Sequence, residues 1–380
     1  MFKKLFLSLF FISVFLFGSP TSSFNTITAL ETTQISAESA ILVCADSMSV
    51  IFKKNEKHKL SMASTTKIMT AVLALEQAEK FDKPVKITSE MITVEGSSMG
   101  LCDSDMITLE NLSKGMLATS GNDAANSIAM AVGENKDNFV KMMNDKALKI
   151  GMKDTNFVTP SGLDDQNHYS TAYDMALLGR YAMKNQKFCN IVSQKKVSVD
   201  FINPKKTQTY SNHNKLLSLY DGCVGIKTGF TKKSGRCLVS CAQRNGVSLI
   251  AVTLNAPDDW NDHIKMYDYG FDNIENIVFD DTNSYYEQDV VGSDKNFITV
   301  KPKNSISATT KKDDSHRVKK TLKLPPFSYA PININDTLGY IEYTLDGVSL
   351  GEVELVAQDT LTYAENNNIF DAILKYFNLK

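Results

Sequence analysis

Apolar residues change their period twice along this chain, and that switch restricts the fold more than any single motif does. Ala40 to Phe52 reads as two short strands around a turn at Asp46-Ser47. From Thr65 to Glu79 the apolar positions Ile68, Val72 and Leu75, flanked by Met69 and Leu73, step by three and four, as a helix with one buried stripe requires. Further helices are expected at Leu109 to Ala118, Ala124 to Val132, Asn138 to Ile150 and Thr171 to Met183. In the last, Ser170 or Thr171 caps the start and Asp174 falls in the first turn. Strand character returns near Val224. The apolar runs Leu238 to Ala242 and Val247 to Leu254 are joined through Gln243-Arg244-Asn245-Gly246, where Asn-Gly signals a hairpin. Strands at both ends of this stretch, with helices between, imply an α+β domain over residues 24–276 whose central antiparallel sheet is covered by helices.

Residues 277–358 instead carry short β-branched and aromatic runs such as Phe297-Ile-Thr-Val300 and Tyr340-Ile-Glu-Tyr343, expected to form a smaller all-β domain. Within it, Lys301 to Lys323 holds eight basic residues against Asp313 and Asp314, a solvated hairpin face or an attraction for an anionic surface. Residues 359–380 form a tail. Its Ile369, Phe370, Ile373, Leu374 and Phe377 share one helical arc, which fits either an in-plane membrane helix or a terminal helix packed on the β domain. At the other end Lys3 and Lys4 precede an apolar run from Leu5 to Phe17 and a small, polar stretch to Ser23, the pattern of a secretory signal over residues 1–23. That run reaches only roughly 20 Å as a helix, short of a bilayer core.

The formal charge of −2 gives no basic field for nucleic acid. Six cysteines are thinly spread, and Cys237 and Cys241 share one face of a strand, as small core residues do. The scattered histidines and the lack of Cys-x-x-Cys and His-Glu-x-x-His argue against a metal site.

Three short patterns carry the chemistry: Ser64-Thr-Thr-Lys67, Ser120-Gly-Asn122 and Lys227-Thr228-Gly229. Each has chance copies, among them Ser193 with Lys196, Ser23-Phe-Asn25 and Lys233-Ser-Gly235, so context must separate them. Ser64 opens the most periodic helix, and Lys67 one turn later projects from the same face within reach of the hydroxyl. A serine becomes a nucleophile when an adjacent base takes its proton, and a lysine serves as that base when burial or a second cation such as Lys227 lowers its pKa. Ser193 and Lys196 lie in a basic stretch without an apolar helix and read as surface. Ser120-Gly-Asn122 falls between two helices, where a loop can aim polar groups into a cleft or simply cap the next helix. Lys227-Thr-Gly229 begins an extended segment in which Gly229 lets a substrate backbone approach.

In this order the three patterns resemble those of serine penicillin-recognising enzymes. Ala63-Ser-Thr-Thr-Lys-Ile-Met-Thr70, Thr119-Ser-Gly-Asn-Asp-Ala124, His168-Tyr-Ser-Thr-Ala-Tyr-Asp-Met-Ala176 and Gly225-Ile-Lys-Thr-Gly-Phe-Thr231 resemble the low-molecular-mass D-alanyl-D-alanine carboxypeptidases from about Ile35 to Asn276. The resemblance implies a β-lactamase/transpeptidase-like domain followed by a β domain. It also implies an exported enzyme at the cell wall or the outer face of the cytoplasmic membrane, acting on peptidoglycan stem peptides ending in D-Ala-D-Ala and inhibited by β-lactams. On it, Ser64 is the nucleophile, Lys67 the base, Ser120 the proton relay and Asn122 the group orienting the substrate amide. Lys227 and Thr228 would hold the terminal carboxylate beside Gly229, and the N–H groups of Ser64 and Phe230 would form the oxyanion hole. No metal or organic cofactor is implied. Met62, Ser161 and Val224 stand where relatives often carry proline, histidine and an acid.

Three other readings share these residues. A secreted β-lactamase would need a deacylating glutamate between the second and third patterns, where the chain offers only Glu134, expected within a helix, with Asp164 and Asp165 as substitutes. An endopeptidase or transpeptidase would differ only in what accepts the acyl group. A non-catalytic wall-binding protein would not require the complete set of polar groups.

Overall fold

The structure is a computed structural model that describes residues 30–364. The expected signal over 1–23 and the amphipathic stretch Ile369 to Lys380 lie outside the described residues.

The main sheet has five antiparallel strands, in spatial order Val50–Lys54, Ser39–Cys44, Val247–Leu254, Gly235–Arg244 and Cys223–Thr231. Alternate residues feed two cores. Ile41, Val43, Cys237, Val239, Cys241, Ile250 and Val252 face a large helical core supplied by Lys67–Lys80, Leu109–Thr119, Asn122–Gly133 and Ala172–Ala182. Ala40, Leu42, Leu238, Ala242, Leu249 and Ala251 face Met266 and Tyr267 of helix Asp259–Asn273. Burial on both faces explains why these strands read as continuous apolar runs rather than as alternating ones. Cys237 and Cys241 are buried free thiols on one face. At the expected hairpin, Asn245 and Gly246 take φ of 50° and 78°, the left-handed pair that a two-residue turn demands.

The helices begin where cap chemistry puts them. Thr171 accepts from Asp174 N at 3.0 Å, and Asn135 accepts from Asn138 N at 2.8 Å, which starts the fourth expected helix at Lys136 rather than Asn138. A second sheet orders Pro84–Lys86, Met106–Thr108, Lys196–Asn203 and Lys206–Ser211. Periodicity does not announce it, because two of its strands have only three residues.

Strands from Ile274–Phe279 to Val348–Ala357 form the all-β part. A six-stranded sheet and the pair Ile274–Phe279 with Ile306–Lys311 enclose a separate core of Ile298, Val300, Ile341, Val353 and Leu355. In the basic segment, Lys303, Arg317, Lys320 and Lys323 pair with Glu354, with Asp314 and Asp346, with Asp281, and with Glu342 and Glu352. Strand Val318–Lys323 is almost wholly exposed, as a solvated face should be. No helix among the described residues is long and apolar enough to cross a membrane.

Candidate active site

Ser64 lies on a 3₁₀ turn, Ala63–Thr66, that leads directly into helix Lys67–Lys80. The turn is tied down by its own hydroxyls: Thr65 Oγ1 donates to Met62 O at 2.6 Å and Thr66 Oγ1 donates to Ala63 O at 2.8 Å. Ala63 is held at a φ of 47°, sparsely populated for a residue with a Cβ. His168, buried behind the turn, accepts from Val158 N on Nδ1 at 2.9 Å. Its proton therefore sits on Nε2, which donates to Thr66 Oγ1 at 2.8 Å. Burial lowers the pKa of this imidazole to about 4, so it stays neutral.

Two glycines let other segments close on the turn. A Cβ at Gly229 would lie 3.0 Å from both Ser64 N and Met62 O, so this glycine brings its own strand against the Ser64 turn as well as lining the cleft. Gly162 has a φ of +86°, and a Cβ there would lie 2.0 Å from Ala63 O. Gly162→Ala is therefore expected to cost roughly 2–4 kcal/mol of stability in urea unfolding, from left-handed strain plus the displaced turn. A variant as stable as wild type would contradict this packing.

Lys67 is fully buried. Its Nζ lies 2.9 Å from Ser64 Oγ, 2.7 Å from Asn122 Oδ1 and 2.6 Å from Ser161 O. Burial chiefly, and then the positive charge of Lys227, hold its pKa well below the ordinary lysine value, against an opposing pull from Asp123. A neutral amine has two N–H donors and one lone pair. The two carbonyl oxygens take the donors, which leaves the lone pair for the Ser64 proton. Such an amine can act as a general base toward the hydroxyl within its hydrogen-bond reach. Burial likewise lowers Lys227 to about 7, and its Nζ donates to Thr228 O at 2.8 Å.

A cleft of about 470 Å³ opens over Ser64. Of the residues expected from sequence, Ser64, Ser120, Thr228, Gly229 and Phe230 line it. Lys67, Asn122 and Lys227 sit buried, outside the lining. Ser120 takes a φ of 61° between two helices, a strained conformation that turns its residue into the cleft wall. Asn122 accepts from Lys67 and donates through Nδ2 to Glu95 O at 2.7 Å, so its side chain braces the base and a neighbouring loop. Phe230 is 65% exposed at the mouth.

Sequence reading missed the far wall. Ser97, His213, Lys215, Arg236, Asp259 and Trp260 also line the cleft. Arg236 is the cross-strand partner of Phe230, packs over Trp260 and is pinned by Asp259 Oδ1 at 2.5 Å. Hairpin register alone would have found it, since Thr231 pairs with Gly235. Cations outnumber the single carboxylate in this lining, which suits an anionic ligand. Glu134 follows helix Asn122–Gly133 with a φ of 65° rather than lying within it, and it is exposed away from the cleft. Asp164 accepts from Thr231 Oγ1 at 2.9 Å and Asp165 from Asn167 N at 2.7 Å; neither lines the cleft. Ser193, Lys196 and Lys233 are exposed, as their chance patterns implied.

The family profile described as D-alanyl-D-alanine carboxypeptidase matches residues 25–258, and that of the penicillin-binding protein 5 C-terminal domain matches residues 276–363. D-alanyl-D-alanine carboxypeptidase DacF of Bacillus subtilis is 30% identical over 374 residues, 95% of each chain. DacC of Escherichia coli is 30% identical over 97% of this chain and 94% of its own. Among solved structures, penicillin-binding protein 5 from Haemophilus influenzae superimposes with a TM-score of 0.67 at 28% identity, covering 88% of this chain and 99% of that one. The Streptomyces K15 DD-transpeptidase gives 0.60 at 29% identity over 63% of this chain and 98% of its own.

Proposed function

Because the chain belongs to the D-alanyl-D-alanine carboxypeptidase family, we propose that it removes the terminal D-alanine of peptidoglycan stem pentapeptides through an ester on Ser64. The observation that carries this reading is the buried Lys67 amine 2.9 Å from the Ser64 hydroxyl, with its pKa depressed. Ser64 Oγ attacks the carbonyl of the penultimate D-alanine while Lys67 Nζ takes its proton. The N–H groups of Ser64 and Phe230 stabilise the tetrahedral oxyanion, a contribution worth roughly 3 kcal/mol per donor. Ser120 gives its proton to the leaving nitrogen and takes the one held by Lys67, and the free D-alanine departs. Water then attacks the ester, its proton goes to the neutral Lys67 amine and from there to Ser64 Oγ, and the shortened peptide leaves with the enzyme restored. Lys227 and Thr228 hold the terminal carboxylate, and Asn122 keeps Lys67 aimed at Ser64. A β-lactam carbonyl acylates the same hydroxyl.

Incubating the enzyme with a diacyl pentapeptide mimic tests this: D-alanine should appear in step with turnover, while a chromogenic cephalosporin is consumed far more slowly. Rapid cephalosporin hydrolysis without D-alanine release would overturn the reading in favour of a β-lactamase. Likeness to the K15 DD-transpeptidase supports a second reading, transfer to an amine, which an added D-amino acid acceptor would reveal as an exchanged peptide.

The pH profile should be bell-shaped. Acid protonates Lys67 and removes the base, so kcat/KM rises with pH through that lowered pKa. Alkali discharges Lys227, so kcat/KM falls through about 7 in the free enzyme. The kcat profile should hold to higher pH, because the bound carboxylate favours charged Lys227. A basic limb unmoved by Lys227→Met would contradict the assignment.

We also infer export, to the cell wall or outer face of the cytoplasmic membrane, supported by the Lys3-Lys4 and Leu5 to Phe17 pattern. The apolar arc of Ile369 to Phe377 supports contact with a membrane surface. Deleting Ile369 to Lys380 should lower co-sedimentation with liposomes and leave soluble turnover unchanged; undiminished sedimentation would exclude the tail as an anchor.

A further inference from the structure

Part of the cleft lined by Ser64 is walled by an irregular loop between helix Ser89–Ile92 and strand Met106–Thr108, and Ser97 is its lining residue. The loop has no ladder of its own, and what holds it is the start of the next catalytic segment. Asp123, 2% exposed, accepts from Ser98 Oγ at 2.6 Å, Met99 N at 2.9 Å, Gly100 N at 3.1 Å and Leu101 N at 3.2 Å. Ala124 N supplies a fifth bond at 2.9 Å. Both carboxylate oxygens are thus filled by donors, a task only an acceptor pair can perform. Asn122 N donates to Ser97 O at 2.6 Å, and Tyr210 Oη donates to Met99 O at 2.8 Å, closing the loop from two more sides.

We infer that Asp123 is a positioning residue for acylation: it latches the Ser97 loop to the segment bearing Ser120 and Asn122, and its negative charge acts on the Lys67 base. The latch makes one rigid body of the two walls that flank the reacting carbonyl. Lys67 feels charge from two elements, Lys227 on the edge strand and Asp123 on the Asn122–Gly133 helix, while His168 behind the Ser64 turn is neutral. The polar contacts of Lys67 are Ser64, Asn122 and Ser161. Of these groups Asp123 is the anion that favours the protonated amine.

The inference rests on the acyl-enzyme reading, so the first measurement is labelling of the wild type by a fluorescent penicillin, absent in Ser64→Ala. An unlabelled wild type overturns that reading and the proposal with it; once the wild type is labelled, the latch is judged on the variants' labelling rates. Asp123→Asn keeps the shape but presents an N–H₂ group to N–H and O–H donors. It should acylate roughly 10- to 100-fold more slowly, as small misplacements do. Its acid limb of kcat/KM should move to lower pH, because Lys67 loses the anion that held its proton. A purely structural defect would reduce the folded fraction and leave that limb in place. Wild-type acylation in Asp123→Asn, or an unmoved limb, would overturn the proposal. Tyr210→Phe removes one bond to the same loop without changing charge; it should slow acylation several-fold with the limb unmoved. If Asp123→Asn does not fold, Tyr210→Phe together with Ser98→Ala decides: both at wild-type rate sink the latch, and both slowed support it.

Discussion

Replacing Lys67 by arginine is expected to slow acylation by about 10³-fold or more while the positive charge beside Ser64 is retained. The guanidinium cannot give up its proton in water near neutrality, so it supplies electrostatics without a lone pair. Lys67 reaches three oxygens within 2.9 Å while fully buried, and the low dielectric that makes its ammonium acidic enough to release a proton would also penalise a permanent charge. Lys67→Met serves as the comparison, since it removes both charge and base at similar volume. If Lys67 acts only by attraction, arginine should retain most activity and methionine little. If it is the base, both should be slow in the second-order rate of penicillin labelling. Arginine acylating within tenfold of wild type would remove Lys67 from the base role.

The second large effect is expected at Ser64. Ser64→Ala should release no D-alanine above background and show no mass increase with penicillin, a fall of roughly 10⁴-fold or more for loss of a covalent nucleophile. The turn that carries it should survive, because its bonds come from Thr65, Thr66 and His168 and not from the Ser64 hydroxyl. The thermal transition should accordingly move little. A labelled Ser64→Ala protein would mean that another hydroxyl is acylated, with Ser120 the first candidate on the cleft wall.

The residues that depress the Lys67 pKa were legible in the sequence, because their logic is local. A serine and lysine three apart at the start of an apolar helix, with a second lysine on a nearby strand, already specify reach, burial and charge. Helix starts were legible wherever a cap residue preceded them, as at Thr171. What stayed hidden depends on long-range closure. Asp123 looks like one more turn residue in Ser-Gly-Asn-Asp, and its partners come from a loop without periodicity some twenty residues earlier. Arg236 directly follows the chance copy Lys233-Ser-Gly235, and only the register of its hairpin carries it to the cleft. His168 lay within a quoted motif, yet nothing in the text of the chain shows that its ring sits behind the Ser64 turn. Strands of three residues cannot display a period of two, which concealed half of the second sheet.

Strand Ser39–Cys44 lies inside the main sheet, and its inner neighbour is the strand ending at Leu254, with Ser39 paired to Leu254 and Val43 to Ile250. A chain delivered with its first residues leading cannot complete that sheet until its final hairpin has arrived. Early closure is therefore forbidden by topology, and the entropy of joining such distant segments delays it further. Any narrow channel that threads the polypeptide in this direction receives a substrate still loose enough to pass. The same order of strands makes the Gly235–Arg244 and Val247–Leu254 hairpin the last part of the sheet to arrive, so the strand that packs on the Ser64 turn gains its neighbour only late in the assembly of the domain.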